Sequence, residues 1–312
     1  MLQMRILAVD DDPVFLMVLQ QILTSIGYED LTFASSGSEA IELLRDPRRR
    51  FDCLLLDIEM PGMNGIELCR RVRTMPSHQN LPIVMITAMK SIEFVEPAFR
   101  AGANDYVHKP IDKLEMETRL RMMADLVEER RRRVSAESRL STDFGLPVLN
   151  ISFDEPFRIT EAGSVIDWLA LENYALTLGR LRLSSRSVIA LRVTNAQAIY
   201  ASTDAIGYVD TMANVASVID GVLRSGNRLI AFAGQGEFVA MISHRPDLDP
   251  QMLQDEIEIE MQRYALMHQA LEIPLPRVQV GEPKRAGLFV RTSVKQLFHE
   301  ARQSARDHVS AR

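Results

Sequence analysis

The first 110 residues alternate short apolar segments with helix-like segments, and this alternation limits the available folds more than any other feature of the chain. The apolar segments lie at 6–9, 31–33, 51–56, 83–86 and 105–107. Strands that are apolar along nearly their whole length are typical of parallel sheets covered by helices on both faces. The sequence therefore predicts an α/β domain built on a five-stranded, doubly wound parallel sheet.

The chain of 312 residues is long enough for two domains. Its composition, 46% hydrophobic and 25% charged, is that of a folded globular protein. A helical stretch without glycine or proline follows the first domain, and the irregular segment 142–147 ends it. We predict a first domain at 1–122, a linker helix at 112–141 that continues its last helix, and a mixed α/β domain at 142–312.

Charge and cysteine usage exclude several classes of protein. The 36 Lys and Arg residues are outnumbered by 42 Asp and Glu residues, which argues against a nucleic-acid partner. No apolar run approaches the roughly 18–20 residues that span a bilayer. Cys53 and Cys69 form no CxxC pair and are interpreted as buried thiols in a reducing compartment. We expect a cytoplasmic protein that binds neither nucleic acid nor membrane.

Polar residues follow the predicted strands of the first domain. They are Asp10, Asp11 and Asp12 after the first strand, Asp57 after the third, Thr87 after the fourth and Lys109 after the fifth. Because the carboxyl ends of parallel strands meet at one edge of a sheet, these side chains are expected in one crevice. Crowded carboxylates repel one another and favour a hard divalent cation such as Mg²⁺.

This set of groups suits phosphoryl transfer. A carboxylate beside a metal ion can attack phosphorus and form an acyl phosphate, while the cation and a lysine offset the charge of the transferred group. The alternative is that the acids cap helices, a role for which Asp12 before Pro13 is well suited. One acid alone would be interpreted as a cap, but the four groups together favour the phosphoryl-transfer site.

Four short motifs of this region resemble the receiver domains of two-component response regulators. They are VDDD at 9–12, LDIEMPGMNG at 56–65, ITA at 86–88 and YVHKP at 106–110. The resemblance covers about residues 3–125 and implies a flavodoxin-like fold. It also implies that the protein is controlled by phosphorylation, with a sensor histidine kinase or a phosphotransfer protein as its partner.

The resemblance assigns roles to the residues of the crevice. Asp57 is similar to the phosphoacceptor, and Asp10 and Asp11 to the acids that hold Mg²⁺ together with Asp57. The backbone carbonyl of Glu59 is implied as a further metal ligand, and Lys109 as the phosphate contact. The Lys109–Pro110 peptide bond is often cis in this family.

Thr87 and Tyr106 match the pair of switch residues in receiver domains. Phosphorylation is expected to draw Thr87 inward and to let Tyr106 turn to a buried position, which changes the face formed by the fourth and fifth helices. His108 is interpreted as a surface or packing residue that points away from Tyr106.

The helical stretch after the fifth strand carries a short apolar stripe, Met116, Leu120, Met123 and Val127. The stripe permits two interpretations: a solvated continuation of the last helix, or a signalling helix that pairs two subunits. Both stay open. We expect a homodimer whose association depends on phosphorylation.

In the second half, the periodicity predicts helices at 165–181, 209–223, 253–270 and 293–309. It predicts strands at 188–193, 229–233, 238–242 and 277–280, the middle two joined as a hairpin. The segment FAGQGEF at 232–238 and the order of these elements resemble the GGDEF domain of diguanylate cyclases. The resemblance implies a nucleotide-cyclase-like mixed α/β fold.

The acids that cyclase chemistry needs are missing from the matching positions. The signature turn is represented by Gly234, Gln235, Gly236, Glu237 and Phe238. In this register the two metal-binding acids fall on Val193 and Gly236, and the segment 188–201 contains no acid. Side chains of valine and glycine cannot ligate Mg²⁺, although Asp210 and Glu237 remain.

We therefore predict a degenerate GGDEF-like domain without enzymatic activity, which binds a protein partner or a nucleotide. An active diguanylate cyclase, making cyclic di-GMP from GTP under control of the first domain, is the alternative. A DNA-binding regulator is a third interpretation, against which the slight acidity of the second half speaks.

Overall fold

The five apolar segments of the first half form the strands of one sheet in the computed structural model, which describes residues 4–88, 92–140, 151–159, 163–223, 227–287 and 293–307. The strands are β1 Ile6–Val9, β2 Leu31–Ala34, β3 Cys53–Asp57, β4 Ile83–Thr87 and β5 Asp105–His108. All neighbours are parallel, in the order β2-β1-β3-β4-β5. The predicted five-stranded parallel sheet is confirmed.

Helices alternate with these strands. They are α1 Pro13–Ser25, α2 Gly37–Arg45, α3 Gly65–Thr74, α4 Ile92–Arg100 and α5 Lys113–Leu140. The central strands β1, β3 and β4 are buried at every residue, as expected for a sheet with both faces covered. Cys53 and Cys69 are buried free thiols within this core.

Local sequence sets where the first helices begin. Asp12 caps α1 by accepting a hydrogen bond from the Val14 N–H. Pro13 occupies the first helical position, where a backbone N–H would have no partner within the helix. Ser36 and Asn64 cap α2 and α3 through their side-chain oxygens. Capping therefore does account for Asp12, but not for the neighbouring Asp10 and Asp11.

The helix α5 is a single element of 28 residues, about 42 Å long at 1.5 Å per residue. Met116, Leu120 and Met123 are buried, so the first part of the apolar stripe packs within its own unit. Arg119, on the same helix, forms an ion pair with the buried Asp105 of β5 at 2.8 Å. These contacts attach the start of α5 to the sheet.

The second half contains a separate four-stranded sheet. Its strands are β6 Arg186–Val193, β7 Arg228–Phe232, β8 Glu237–Ser243 and β9 Val278–Val280. Neighbouring strands are antiparallel, in the order β7-β8-β6-β9. The four predicted strands are present, with ends that differ by one or two residues. Two helical connections, one after β6 and one after β8, give the β-α-β-β-α-β arrangement known from ferredoxin-like folds.

The helices of this half are α6 Trp168–Thr177, α7 Gly179–Ser184, α8 Ala196–Ser202, α9 Ala205–Val222, α10 Pro250–Met261, α11 Ala265–Ala270 and α12 Val294–Asp307. The prediction of one helix over 165–181 was wrong. Val165 instead forms a β-bridge with Ile230, and Gly179, with a φ of 62°, separates α6 from α7. A 3₁₀ turn at Gln262–Tyr264 likewise divides the helix predicted at 253–270.

The chain separates into two compact units, Met1–Val148 and Leu149–Arg312. The finer limits of 1–122, 112–141 and 142–312 stay predictions. Among the described residues, no helix has both the length and the apolar character needed to cross a membrane.

Candidate functional site

The strand ends of the first unit bring the predicted acids together. Asp10 and Asp11 follow β1, and Asp57 is the last residue of β3. One carboxylate oxygen from each of the three lies within 4.8 Å of the others. Asp10 and Asp57 are buried, whereas Asp11 is exposed at the rim. The predicted convergence of residues nearly 50 positions apart is therefore present in the fold.

Lys109 joins this cluster from the end of β5. Its ammonium nitrogen lies 2.7 Å from Oδ2 of Asp10 and 2.8 Å from Oδ1 of Asp57. The Lys109–Pro110 peptide bond is cis, as the family resemblance implied. One ammonium group thus bridges the proposed acceptor and one of the proposed metal ligands.

Burial and neighbouring charge determine the electrostatics of the site. Burial raises the pKa of Asp57, and the charge of Asp10 acts in the same direction, while Lys109 opposes both. Burial alone would lower the pKa of Lys109, but hydrogen bonds to Asp10 and Asp57 outweigh it, so the pKa is raised. The ammonium group therefore stays charged at neutral pH.

The donor atoms fit a small divalent cation. Three carboxyl groups face a single ammonium group, and Mg²⁺ binds through a few carboxylate oxygens with water completing its shell. The Glu59 N–H donates a hydrogen bond to the Asp57 carboxylate, so the Glu59 backbone lies beside the cluster. The role of its carbonyl group as a metal ligand stays a prediction.

The predicted switch residues lie next to the cluster. Thr87 is fully buried at the end of β4 and pairs in register with His108 of β5. Tyr106 is half-buried, with its ring 6.2 Å from that of Phe99 and 4.9 Å from that of His108. The expectation that His108 points away from Tyr106 was wrong, because residues two apart on a strand share a face.

Sequence reasoning did not find Phe15. Its half-buried ring on the first turn of α1 lies under the Lys109 ammonium group, 3.9 Å from nitrogen to ring centre. No motif includes this position, and the only signal was an apolar residue on the first turn after the acids.

Val193 and Gly236, the two positions that the sequence resemblance matched to the metal-binding acids of cyclases, are adjacent in the second unit. The Val193 N–H donates to the carbonyl oxygen of Gly236 at 2.8 Å. Gly236 has a φ of 71°, and a Cβ atom there would overlap the Cβ of Ala196. Neither position therefore offers a carboxylate, and the side chains beside Gly236 are the apolar ones of Val193 and Ala196.

The remaining acid of the turn is engaged in ion pairs. Glu237 is 2% exposed and lies 2.6 Å from the Nε atoms of both Arg302 and Arg306 on α12. Two guanidinium groups neutralise its charge, which leaves little attraction for a cation. Asp210 is exposed on α9, and Phe238 is buried in the core.

The turn itself is covered by the segment 151–155. The Gln235 N–H donates to the Phe153 carbonyl oxygen at 2.7 Å, and its side-chain amide donates to Asp154 at 3.0 Å. A Cβ atom on Gly234 would overlap the Asp154 carbonyl oxygen. Both glycines of the turn are therefore required by close packing.

A cleft of about 580 Å³ opens beside this turn. Its lining includes Phe153 and Tyr200, the basic residues Arg192 and Arg306, and the acidic residues Asp154 and Glu237. Aromatic faces beside a cation can accept a planar ligand or an acidic peptide group.

Comparison with known proteins identifies relatives of the first unit. Residues 6–121 match the sequence profile of the response regulator receiver domain. The DNA-binding response regulator MtrA of Mycolicibacterium smegmatis is 39% identical over 120 residues, which are 38% of this chain and 50% of that protein. The chain thus spans about half the length of this relative. A chemotaxis protein CheY homolog of Campylobacter jejuni is 36% identical over 107 residues, covering 34% of this chain and 82% of the homolog.

One solved structure is also similar over part of the chain. The response regulator receiver domain protein (CheY-like) from Methanospirillum hungatei is 29% identical and has a TM-score of 0.38, covering 41% of this chain and 98% of that one. The match of the receiver profile lies within the first unit.

Proposed function

Because the chain belongs, through residues 6–121, to the response regulator receiver family, we propose that it is a phosphorylation-dependent regulator that accepts a phosphoryl group on Asp57. The observation that carries the proposal is the position of Lys109, whose ammonium group contacts Asp57 and Asp10 together. A phosphoryl group on Asp57 would lie within reach of that ammonium group. A sensor histidine kinase or a phosphotransfer protein is the proposed donor.

The chemistry follows from the side chains present. A carboxylate oxygen of Asp57 attacks phosphorus, the bond from phosphorus to the donor imidazole nitrogen breaks, and an acyl phosphate and a free imidazole remain. Asp10, Asp11 and Asp57 would hold Mg²⁺, which when bound offsets the negative charge of the phosphoryl group. Lys109 contacts a phosphoryl oxygen, and the hydroxyl group of Thr87 donates to another when it moves inward.

The first turns of α1 supply a surface for the donor protein. Val14, Met17 and Val18 are 60%, 58% and 46% exposed on one side of this helix. Large exposed apolar side chains at helical spacing favour docking of another helix. Since α1 begins directly after the acids of the site, a protein bound there is close to Asp57.

For the second unit, we propose a degenerate GGDEF-like output domain that acts by binding. Support comes from Val193 and Gly236, which leave no carboxylate at the positions of the metal-binding acids. The ion pairs of Glu237 with Arg302 and Arg306 give further support. The cleft beside the turn is the proposed binding place for a protein segment or a nucleotide.

Phosphorylation of the purified full-length chain tests the first proposal. With radiolabelled acetyl phosphate and Mg²⁺, the wild type is expected to incorporate label that Asp57→Asn does not. Asp125→Asn, which replaces an exposed acid on α5, is the matched control and should behave as the wild type. Equal labelling of Asp57→Asn and the wild type would refute the proposed acceptor.

A second assay tests the output domain. Full-length protein with GTP and Mg²⁺, with and without acetyl phosphate, is expected to form no cyclic di-GMP. The formation of cyclic dinucleotide under either condition would establish the diguanylate cyclase alternative instead. A pull-down with the full-length chain, beside a nucleotide-binding assay, identifies the class of ligand.

A further inference from the structure

The ammonium group of Lys109 has three kinds of neighbour. Two are the carboxylates of Asp10 and Asp57, at 2.7 and 2.8 Å. The third is the ring of Phe15, whose centre is 3.9 Å from the nitrogen. The side chain of Lys109 is only 20% exposed, so these groups replace most of the water that would otherwise surround it.

The contact with Phe15 is a cation–π interaction. The distance is well inside the roughly 6 Å over which a ring face attracts a cation, and the attraction increases as water is removed. An ammonium group has three N–H donors, and the two carboxylates account for two of them. The ring face is thus a third contact of the ammonium group, in addition to the two carboxylates.

Without such a contact, Lys109 has other conformations available. Its side chain is a flexible four-carbon stem, and the charged end is strongly hydrated when it reaches solvent. Phe15 follows the acids on the first turn of α1, which Asp12 and Pro13 hold in place. The ring is thus a rigid surface beside the ammonium group.

We propose that Phe15 is a positioning residue for phosphoryl transfer, which keeps the Lys109 ammonium group between Asp10 and Asp57. This inference rests on the proposed role of Asp57 as the phosphoacceptor. The same placement has a second consequence, because Asp10 and Asp57 are also the proposed ligands of Mg²⁺. An ammonium group held on two metal-binding carboxylates repels a cation, so Phe15 favours phosphoryl transfer and weakens binding of Mg²⁺.

This predicts opposite effects on two measurable quantities. In Phe15→Leu, an apolar side chain remains but the ring is lost, and Lys109 can leave the carboxylates. The rate of phosphorylation by acetyl phosphate is expected to fall about three- to tenfold. The affinity for Mg²⁺ is expected to rise about two- to fivefold, since the competing ammonium group is released. Phe15→Tyr, which retains an aromatic ring, is expected to restore both values.

The experiment uses the full-length chain in four forms: wild type, Phe15→Leu, Phe15→Met and Phe15→Tyr. Phosphorylation is followed with acetyl phosphate, so that docking of a donor protein on α1 does not enter. Binding of Mg²⁺ alone is followed by amide NMR shifts, which do not depend on phosphorylation. Phe15→Met replaces Phe15→Leu if the latter does not fold.

The outcomes separate the positioning role of Phe15 from the proposed function of Asp57 as the phosphoacceptor. Slower phosphorylation with tighter Mg²⁺ binding in the variants without a ring, and recovery in Phe15→Tyr, supports the positioning role. Unchanged values, or a loss of both quantities together, would overturn it. If the wild type accepts no phosphoryl group, the proposed function fails, while the Mg²⁺ titration still decides whether Phe15 controls Lys109.

Discussion

The proposed role of Asp57 places two opposing requirements on its side chain, burial and ionisation. It must be buried to lie beside Lys109 and the other acids, yet it must be ionised to attack phosphorus. Burial raises its pKa, and the ammonium group of Lys109 limits that rise. The residue is therefore placed for chemistry at a cost to the stability of the folded unit.

This cost predicts the effect of Asp57→Asn on stability. The pKa of Asp57 is higher in the folded state than in the unfolded state, so the folded state binds the proton of Asp57 more tightly. The stabilisation that this proton gives is lost as the pH rises through the folded-state pKa. Asparagine does not ionise. In urea denaturation without Mg²⁺, the variant should be more stable than the wild type at pH 7, by a margin that shrinks toward pH 4 (about the unfolded pKa of Asp). Asp125→Asn, at an exposed site, should show no such trend.

Gly236 provides a second test at one position. An alanine at this position would have a φ of 71°, which is unfavourable for a residue with a side chain, and its Cβ would overlap the Cβ of Ala196. We therefore expect Gly236→Ala to lower the free energy of unfolding by about 2–4 kcal/mol. Gly221→Ala is the matched control, because no atom lies within 4 Å of its added Cβ and it lies in the last turn of α9. That substitution should be neutral or slightly stabilising. Equal effects of the two substitutions would contradict the close packing of the turn.

The helices differ in how they are attached to their sheets. The start of α5 is held by buried apolar residues and by the ion pair of Arg119 with Asp105. The helix α12 also buries apolar residues, among them Leu297 and Phe298, and Arg302 and Arg306 attach it in addition to the turn through Glu237. The buried acid of the turn thus contributes to holding α12 in place.

Removal of this charge tests the attachment of α12. Glu237→Gln leaves two guanidinium groups without their buried partner and is expected to lower the free energy of unfolding by about 2–4 kcal/mol. Glu256→Gln, on the exposed surface of α10, is the control and should change it by less than about 0.5 kcal/mol. A small effect of Glu237→Gln would show that α12 is held by its apolar contacts alone.

For the complete chain, the question is how a change at Asp57 reaches the second unit. The helix α5 is one continuous element of 28 residues, and Met116, Leu120 and Met123 near its start are buried within the first unit. The buried part of the apolar stripe is therefore not available to pair two subunits, whereas Val127 is half-buried. Self-association that depends on phosphorylation, through α5 or through the face formed by the fourth and fifth helices, stays a prediction.

Sedimentation velocity tests this proposal. Addition of acetyl phosphate and Mg²⁺ should change the weight-average sedimentation coefficient of the wild type, because the phosphorylated receiver presents a different surface. Asp57→Asn should sediment identically with and without the phosphoryl donor. An unchanged coefficient for fully phosphorylated wild type would rule out control of self-association.

Most of the first unit could be predicted because its signals are local. Apolar runs specify the strands, and the rule that parallel strands end at one edge brings Asp10, Asp57 and Lys109 together. The errors in helix prediction lie in the second unit, where a single backbone conformation or a contact between distant residues overrides the helical periodicity. Gly179 divides a helical pattern, and pairing of Val165 with Ile230 replaces a helical turn by a bridge.

The order of amino acids alone was sufficient to establish the parallel sheet, the acidic crevice and the absence of acids from the segment 188–201. These depend on residue type and on position along a strand, both of which can be read directly. Packing between distant segments set the rest: the ring of Phe15 under Lys109, and the arginines of α12 around Glu237. Such contacts join elements far apart in the chain, and their energies depend on distance and burial, which only the folded arrangement defines.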